Sequence, residues 1–239
     1  MQKLSVLLAI FTLSIANAQS WDNEKIKGNG VLSTITRTTG AYDKIAIQGS
    51  FKVELIAAKE GTITINGDEN LMDYLITEVV DQELKIYFKK NLNYSYKSTI
   101  KITVPFEEIN EVSLTGSGEM MTKNTINANN FEVKMTGSGD CVLQIKAQKT
   151  IAKFTGSGNL ELSGTTDDLD AKTAGSGTMN CFKLASQNVN ATVAGSGDLN
   201  VNCSNNLIAK VAGSGTIKYT GNPKTTDTKV SGSGEIIAR

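Results

Sequence analysis

Along much of this 239-residue chain apolar residues recur at every second position, in register with a short glycine motif. Gly-Ser-Gly occurs seven times, beginning at Gly116, Gly137, Gly156, Gly175, Gly195, Gly213 and Gly232, at intervals of 21, 19, 19, 20, 18 and 19 residues. Two residues after each second glycine stand Met120, Cys141, Leu160, Met179, Leu199, Ile217 and Ile236, and the residue before each of these is polar. Two residues before each first glycine stand Leu114, Met135, Phe154, Thr173, Val193, Val211 and Val230. A two-residue period means strand, with one face buried and the other in water. A repeat near 19 residues is too short for a helical pair and matches one coil of a solenoid. The pattern therefore predicts coils of strand, Gly-Ser-Gly corner, strand and a polar connection such as Ser163 to Asp168. Stacked coils would pair their strands in parallel, about 4.8 Å apart.

The regular coils are expected over 106–239. Residues 31–105 alternate less regularly, with strand-like runs at Tyr42–Ile47, Phe51–Leu55, Thr62–Asp68, Glu83–Lys89 and Thr99–Val104. Gly49-Ser50-Phe51 reads as a degenerate corner, and Asn70–Ile76 as a short helical turn. A solenoid end leaves backbone groups and core open, so this stretch is expected to be irregular first coils and a strand-rich N-terminal cap. No Pro/Ser/Gly linker divides the two parts, so 31–239 is expected to be one domain. Ahead of it, residues 1–18 combine Lys3, an apolar run from Leu4 to Ile15 and the triplet Ala16-Asn17-Ala18, the pattern of a secretory signal peptide. Residues 19–30 are expected to be a flexible leader.

Composition narrows the chemistry. With 24 basic and 24 acidic residues, formal net charge zero and no basic block, the chain lacks the electrostatics of a nucleic-acid binder. Having no histidine, it has no Ser-His-Asp or Cys-His triad and no His-ligated zinc. No second apolar stretch reaches membrane-spanning length, so no transmembrane segment is expected.

The seven Gly-Ser-Gly-[Asp/Glu/Asn/Thr] units, Gly67-Asp68-Glu69-Asn70-Leu71 and Tyr219-Thr220-Gly221-Asn222-Pro223-Lys224 together resemble the putative auto-transporter adhesin, head GIN domain family, from about residue 31 to the C-terminus. The resemblance implies an all-β, single-stranded, right-handed parallel β-helix, exported by a Gram-negative bacterium to the periplasm, cell surface or medium. It implies no catalytic or ligand residues.

Several residue sets are candidates for function. Lys134, Lys153 and Lys172, resumed at Lys210 and Lys229, form an outward row that could meet an acidic glycan or simply face water. Lysine on an exposed strand also discourages edge pairing, and the solvated reading is favoured. The outward acids Glu119, Asp140, Asp198 and Glu235 are too sparse for a calcium β-roll. The corner serines could offer a hydroxyl ladder to sugars. Trp21, Tyr94 and Tyr96 are the candidate exposed aromatics. Cys141, Cys181 and Cys203 fall on inward offsets; Cys181 and Cys203 lie in adjacent coils, compatible with a disulfide without requiring one. Ile236 and Ile237, in the last coil, could join a second copy. The expected function is an exported, non-enzymatic, adhesin-like binding or structural module with a polymer or protein partner and no cofactor. The alternatives are self-assembly through the C-terminal coils and, less favoured, a polysaccharide-active enzyme, for which coils of 18 to 21 residues leave no long insertion to form a cleft.

Overall fold

The computed structural model describes residues 25–239; residues 1–18, read as a signal peptide, and Trp21 lie outside them. The N-terminal part contains β1 (Lys25–Lys27), β2 (Leu32–Thr38), β3 (Lys44–Gln48), β4 (Lys52–Ala57), β5 (Thr62–Asp68), β6 (Leu75–Val80), β7 (Glu83–Phe88), β8 (Asn93–Ser95) and β9 (Lys101–Phe106). The coils continue with β10 (Glu111–Gly116), β11 (Glu119–Thr122), β12 (Ile126–Gly137), β13 (Asp140–Gly156), β14 (Asn159–Gly175), β15 (Thr178–Gly195) and β16 (Asp198–Gly213). They end with β17 (Thr216–Thr220), β18 (Thr225–Gly232) and β19 (Glu235–Ala238). The result is a β-solenoid of about 7 turns, its coils of about 19 residues stacked in parallel. We call the strand side before each corner side A, the side after it side B, and the connecting side side C.

Each corner stacks on the one below it. The N–H of Ser157 bonds the Gly137 carbonyl at 3.0 Å, and that of Asn159 bonds the Gly139 carbonyl at 3.1 Å. Both glycines of the motif are needed. A Cβ on either would clash outright, lying 1.9 Å from the Gly137 oxygen at Gly156 and 1.9 Å from the Gly139 oxygen at Gly158. The first also has positive φ, 140° at Gly156, where a side chain is strained. The expected degenerate corner is real, because Gly49 (φ 144°) lies beneath Gly116 and the Glu119 N–H bonds the Phe51 carbonyl at 2.7 Å.

The inward rows close over one core running the length of the stack, from Ile45, Val53 and Leu84 to Leu207, Val211 and Ile217, each at most 2% exposed. The coil differs from the sequence expectation on side C. The polar connections are themselves laddered, so β13 to β16 run unbroken from one corner to the next; between β13 and β14, Gln144 stands opposite Ser163, Ala147 opposite Thr166 and Lys149 opposite Asp168. The cause is the near-constant coil length, which gives each connection's N–H and C=O groups a partner in the next coil. Where lengths differ, the register slips, as between Cys181 and Ala185.

The N-terminal coils do not stack in chain order. β3 and β4 pair upward with β10 and β11, and downward with β7 and β9, which come later in the sequence. Residues 58–106 thus double back to build the coil beneath. β5 joins β9 antiparallel, β2 joins β5 antiparallel, and the β6–β7 hairpin finishes side A. Arg37 reaches across this end, donating to the carbonyls of Met72 and Leu75 and to the Thr77 hydroxyl. The expected helical turn is a 3-10 helix, Glu69–Tyr74. Within the 19–30 stretch read as a flexible leader, β1 pairs in parallel with β8.

Candidate binding face on side C

The lysine row is aligned as the spacing requires. Lys134, Lys153 and Lys172 stand opposite one another in successive coils, then Thr192, Lys210 and Lys229. The row is not a bare cationic stripe, however. Two residues upstream in each coil runs a second row, containing Glu111, Glu132 and Asp170. Lys134 bridges Glu111 at 2.6 Å and Glu132 at 3.5 Å, Lys153 bridges Glu132 at 2.8 Å, and Lys172 bridges Asp170 at 2.9 Å. Burial raises the Glu132 carboxyl, but hydrogen bonds and charge from Lys153 and Lys134 outweigh it and hold it below its ordinary range. The lower half of side A is therefore locally charge-balanced.

The other candidates sort by burial. The stacked acids Glu119 and Asp140 are relieved by Lys52, which bridges Glu119 at 2.9 Å, and by Asn159, which donates to Asp140 at 2.8 Å. Among the described residues no cluster of His, Cys, Asp and Glu is arranged to hold a metal ion. The three cysteines are free and buried, and burial pushes the thiols of Cys141 and Cys181 up to about 12. Cys181 stands opposite Val201 and Cys203 opposite Ser186, so the disulfide left open by the sequence is not formed. Tyr94 is stacked on Phe88 with centroids 4.2 Å apart, and Tyr96 lies 5.8 Å from the same ring. These tyrosines belong to the cap's packing. The corner serines are exposed in every coil. In the last coil Ile236 is partly buried against the core, whereas Ile237 is 38% and Val230 43% exposed.

Asp167 and Asp168, in the polar connection from Ser163 to Asp168, are held in an amide ladder on side C. Gln187 donates to Asp167 at 2.6 Å, Asn188 donates to Asp168 at 2.8 Å, and Asn205 donates to Asn188 at 2.9 Å. Such a ladder ties coils together and presents a polar, regular surface.

Below that ladder side C has a feature the repeat does not announce. The regular side begins only with β12. In the coil beneath, the chain passes from β9 to β10 by the short connection Glu107–Asn110. β12 pairs with β13 above along its length, but with β10 below only from Glu132 onward. Ile126–Phe131 thus forms an overhang with no strand beneath it among the described residues. Two cavities, of about 550 and 510 Å³, lie along this overhang and share Glu108, Asn127, Ala128 and Asn129. The first continues past Asp43, Asn130 and Lys149, and the second past Lys146, Thr165 and Asp167. The only local sequence signal is the asparagine density of Asn124, Asn127, Asn129 and Asn130. The groove itself comes from the doubling back of residues 58–106, a tertiary event.

Among the described residues no helix is long and apolar enough to cross a membrane. Several solved structures share this fold. A putative adhesin from Bacteroides fragilis superimposes with TM-score 0.85 at 24% identity, covering 90% of this chain and 100% of its own. A putative lipid binding protein from Parabacteroides distasonis gives 0.74 at 29% identity, with 90% and 100% covered. A putative adhesin from Parabacteroides merdae gives 0.73 at 22%, with 90% and 99% covered. No protein of curated function matches the chain. The family described as "Putative auto-transporter adhesin, head GIN domain" matches residues 41–223, the span from β3 to β17, so this chain is a member of that family.

Proposed function

We propose that the protein is an exported, non-enzymatic, adhesin-like module that presents side C to a polymer or protein partner. The observation that carries this reading is the union of a rigid ladder with an interrupted edge. The coils above β12 ladder side C in parallel, with slips in register where coil lengths differ, and the overhang offers cavities of about 550 and 510 Å³ beside them. The carboxylates in this region are spent on amide hydrogen bonds or stand apart on an open face, an arrangement suited to contact more than to proton transfer. The leader pattern of residues 1–18 supports export.

The test is surface plasmon resonance of the protein from residue 19 over immobilised unfolded polypeptide, acidic polysaccharide and neutral polysaccharide, with the eluate checked for cleaved products. Saturable retention on one class without cleavage is expected. Retention on none, or release of fragments, contradicts the reading. A second reading has its own observation: Val230 and Ile237 leave apolar surface on the last coil of this chain, where a second copy could stack. It predicts a concentration-dependent mass in light scattering that is lost in Val230→Lys/Ile237→Lys. A constant monomer mass removes it.

A further inference from the structure

We propose that the overhang of β12 binds an extended polypeptide segment carrying cationic side chains, which adds as a strand beneath Ile126–Asn130. This rests on the binding-module reading and names its site and ligand class. Three observations carry it. First, the upper edge of Ile126–Asn130 is paired with Ile145–Lys149, whereas its lower edge meets no strand among the described residues. Elsewhere the neighbouring coils exchange main-chain hydrogen bonds, so this short stretch is an internal edge offering the same bonds to an incoming chain.

Second, the space is there. Both cavities are lined by Asn127–Asn129 and by Glu108, and the first, which also reaches Ile109 and Asn110, lies beneath the overhang. A segment of five residues extends about 17 Å at strand rise, the length of the overhang. Third, charge favours one kind of occupant. The lining holds the carboxylates of Asp43, Glu108, Glu111, Glu132 and Asp167 against the ammonium groups of Lys146 and Lys149. Glu111 and Glu132 are already bridged by Lys134 and Lys153. Glu108 is exposed at the mouth, where a lysine or arginine side chain of the segment would meet it, and Asp167, two strands above β12 on the same side and already accepting from Gln187, adds to the negative field. A glycan site would draw on aromatic faces for stacking, and the one aromatic side chain in the lining, Phe131, is 2% exposed.

Fluorescence anisotropy with a labelled eight-residue peptide of alternating Lys and Thr tests this. Two further versions are N-methylated at one or the other alternate set of residues. A strand added at an edge turns only one set of N–H groups to the protein, so one methylated version should bind at least tenfold more weakly and the other nearly as well as the parent. Glu108→Lys/Asp167→Lys, both at exposed positions, should weaken the parent at least tenfold with an unchanged circular dichroism spectrum. Equal binding of the two methylated versions, or no saturable binding of the parent, overturns the proposal. Displacement of the peptide by a neutral hexasaccharide would assign the groove to glycans and overturn it as well. The retention measurement proposed above separates the two levels. If the wild type and Glu108→Lys/Asp167→Lys are retained alike on an immobilised partner, the groove assignment fails and the module stands; if the wild type is retained on nothing, the module reading fails.

Discussion

At the residue scale the motif divides into two kinds of position. In Gly156-Ser157-Gly158, both glycines admit a carbonyl from the coil below to where a Cβ would be, the first also supplying a left-handed φ of 140°, while the serine between them is exposed. Gly158→Ala is expected to cost about 3 kcal/mol or more, since neither backbone can yield without breaking the stack. Ser157→Ala should stay within about 0.5 kcal/mol, as an exposed substitution without special geometry. Urea titration of the two variants against the parent distinguishes this from a ladder in which the serines themselves are structural. The cysteines allow another check at this scale. All three are buried, and burial raises Cys141 and Cys181 to about 12, so the thiolate is scarce as well as covered. At pH 8 a thiol reagent should titrate essentially none in the native protein and three after unfolding in guanidinium; rapid native labelling would contradict the packing described here.

Among the elements, the cap depends on polar groups placed where the chain departs from the repeat. Asp68, at the end of β5, is fully buried and accepts the N–H groups of Lys97 at 2.8 Å and Ser98 at 3.2 Å. Burial by itself raises this carboxyl, but the hydrogen bonds from Lys97, Ser98 and Gly30 prevail and hold it below its ordinary value. A folded pKa below the unfolded one means that the contribution is complete above the unfolded value, about 3.9, and is lost as pH falls through the folded pKa. Melting temperature should therefore decline between about pH 5 and pH 2. Asp68→Asn should be less stable than the parent at pH 7 by about 2 kcal/mol and should lose less on acidification. An identical pH profile in the variant would show that Asp68 does not carry the cap's acid sensitivity. The side A lysines illustrate the same scale from the other direction. Seen alone, Lys134, Lys153 and Lys172 suggest an anion-binding stripe; beside Glu111, Glu132 and Asp170 they are members of a mixed-charge ladder.

For the whole molecule, legibility follows the repeat. The inward rows, the corners, the parallel pairing and even the degenerate corner at Gly49 could be read because each coil imposes the same local demands on its sequence. The doubling back of residues 58–106 could not. β7 and β9 alternate like any other strands, and nothing in Glu83–Phe88 or Lys101–Phe106 states that their partners lie earlier in the chain. That departure leaves β12 overhanging, so the groove inherits its obscurity. Only the asparagines near it were visible. On the proposed reading side C, and not the lysine row of side A, meets the partner. This is tested most directly by comparing retention of three proteins on the polypeptide and polysaccharide surfaces: the wild type, Glu108→Lys/Asp167→Lys on side C, and Lys134→Glu/Lys153→Glu/Lys172→Glu on side A. A loss of at least tenfold confined to the side C variant is the predicted result, and a loss confined to the side A variant would contradict the claim.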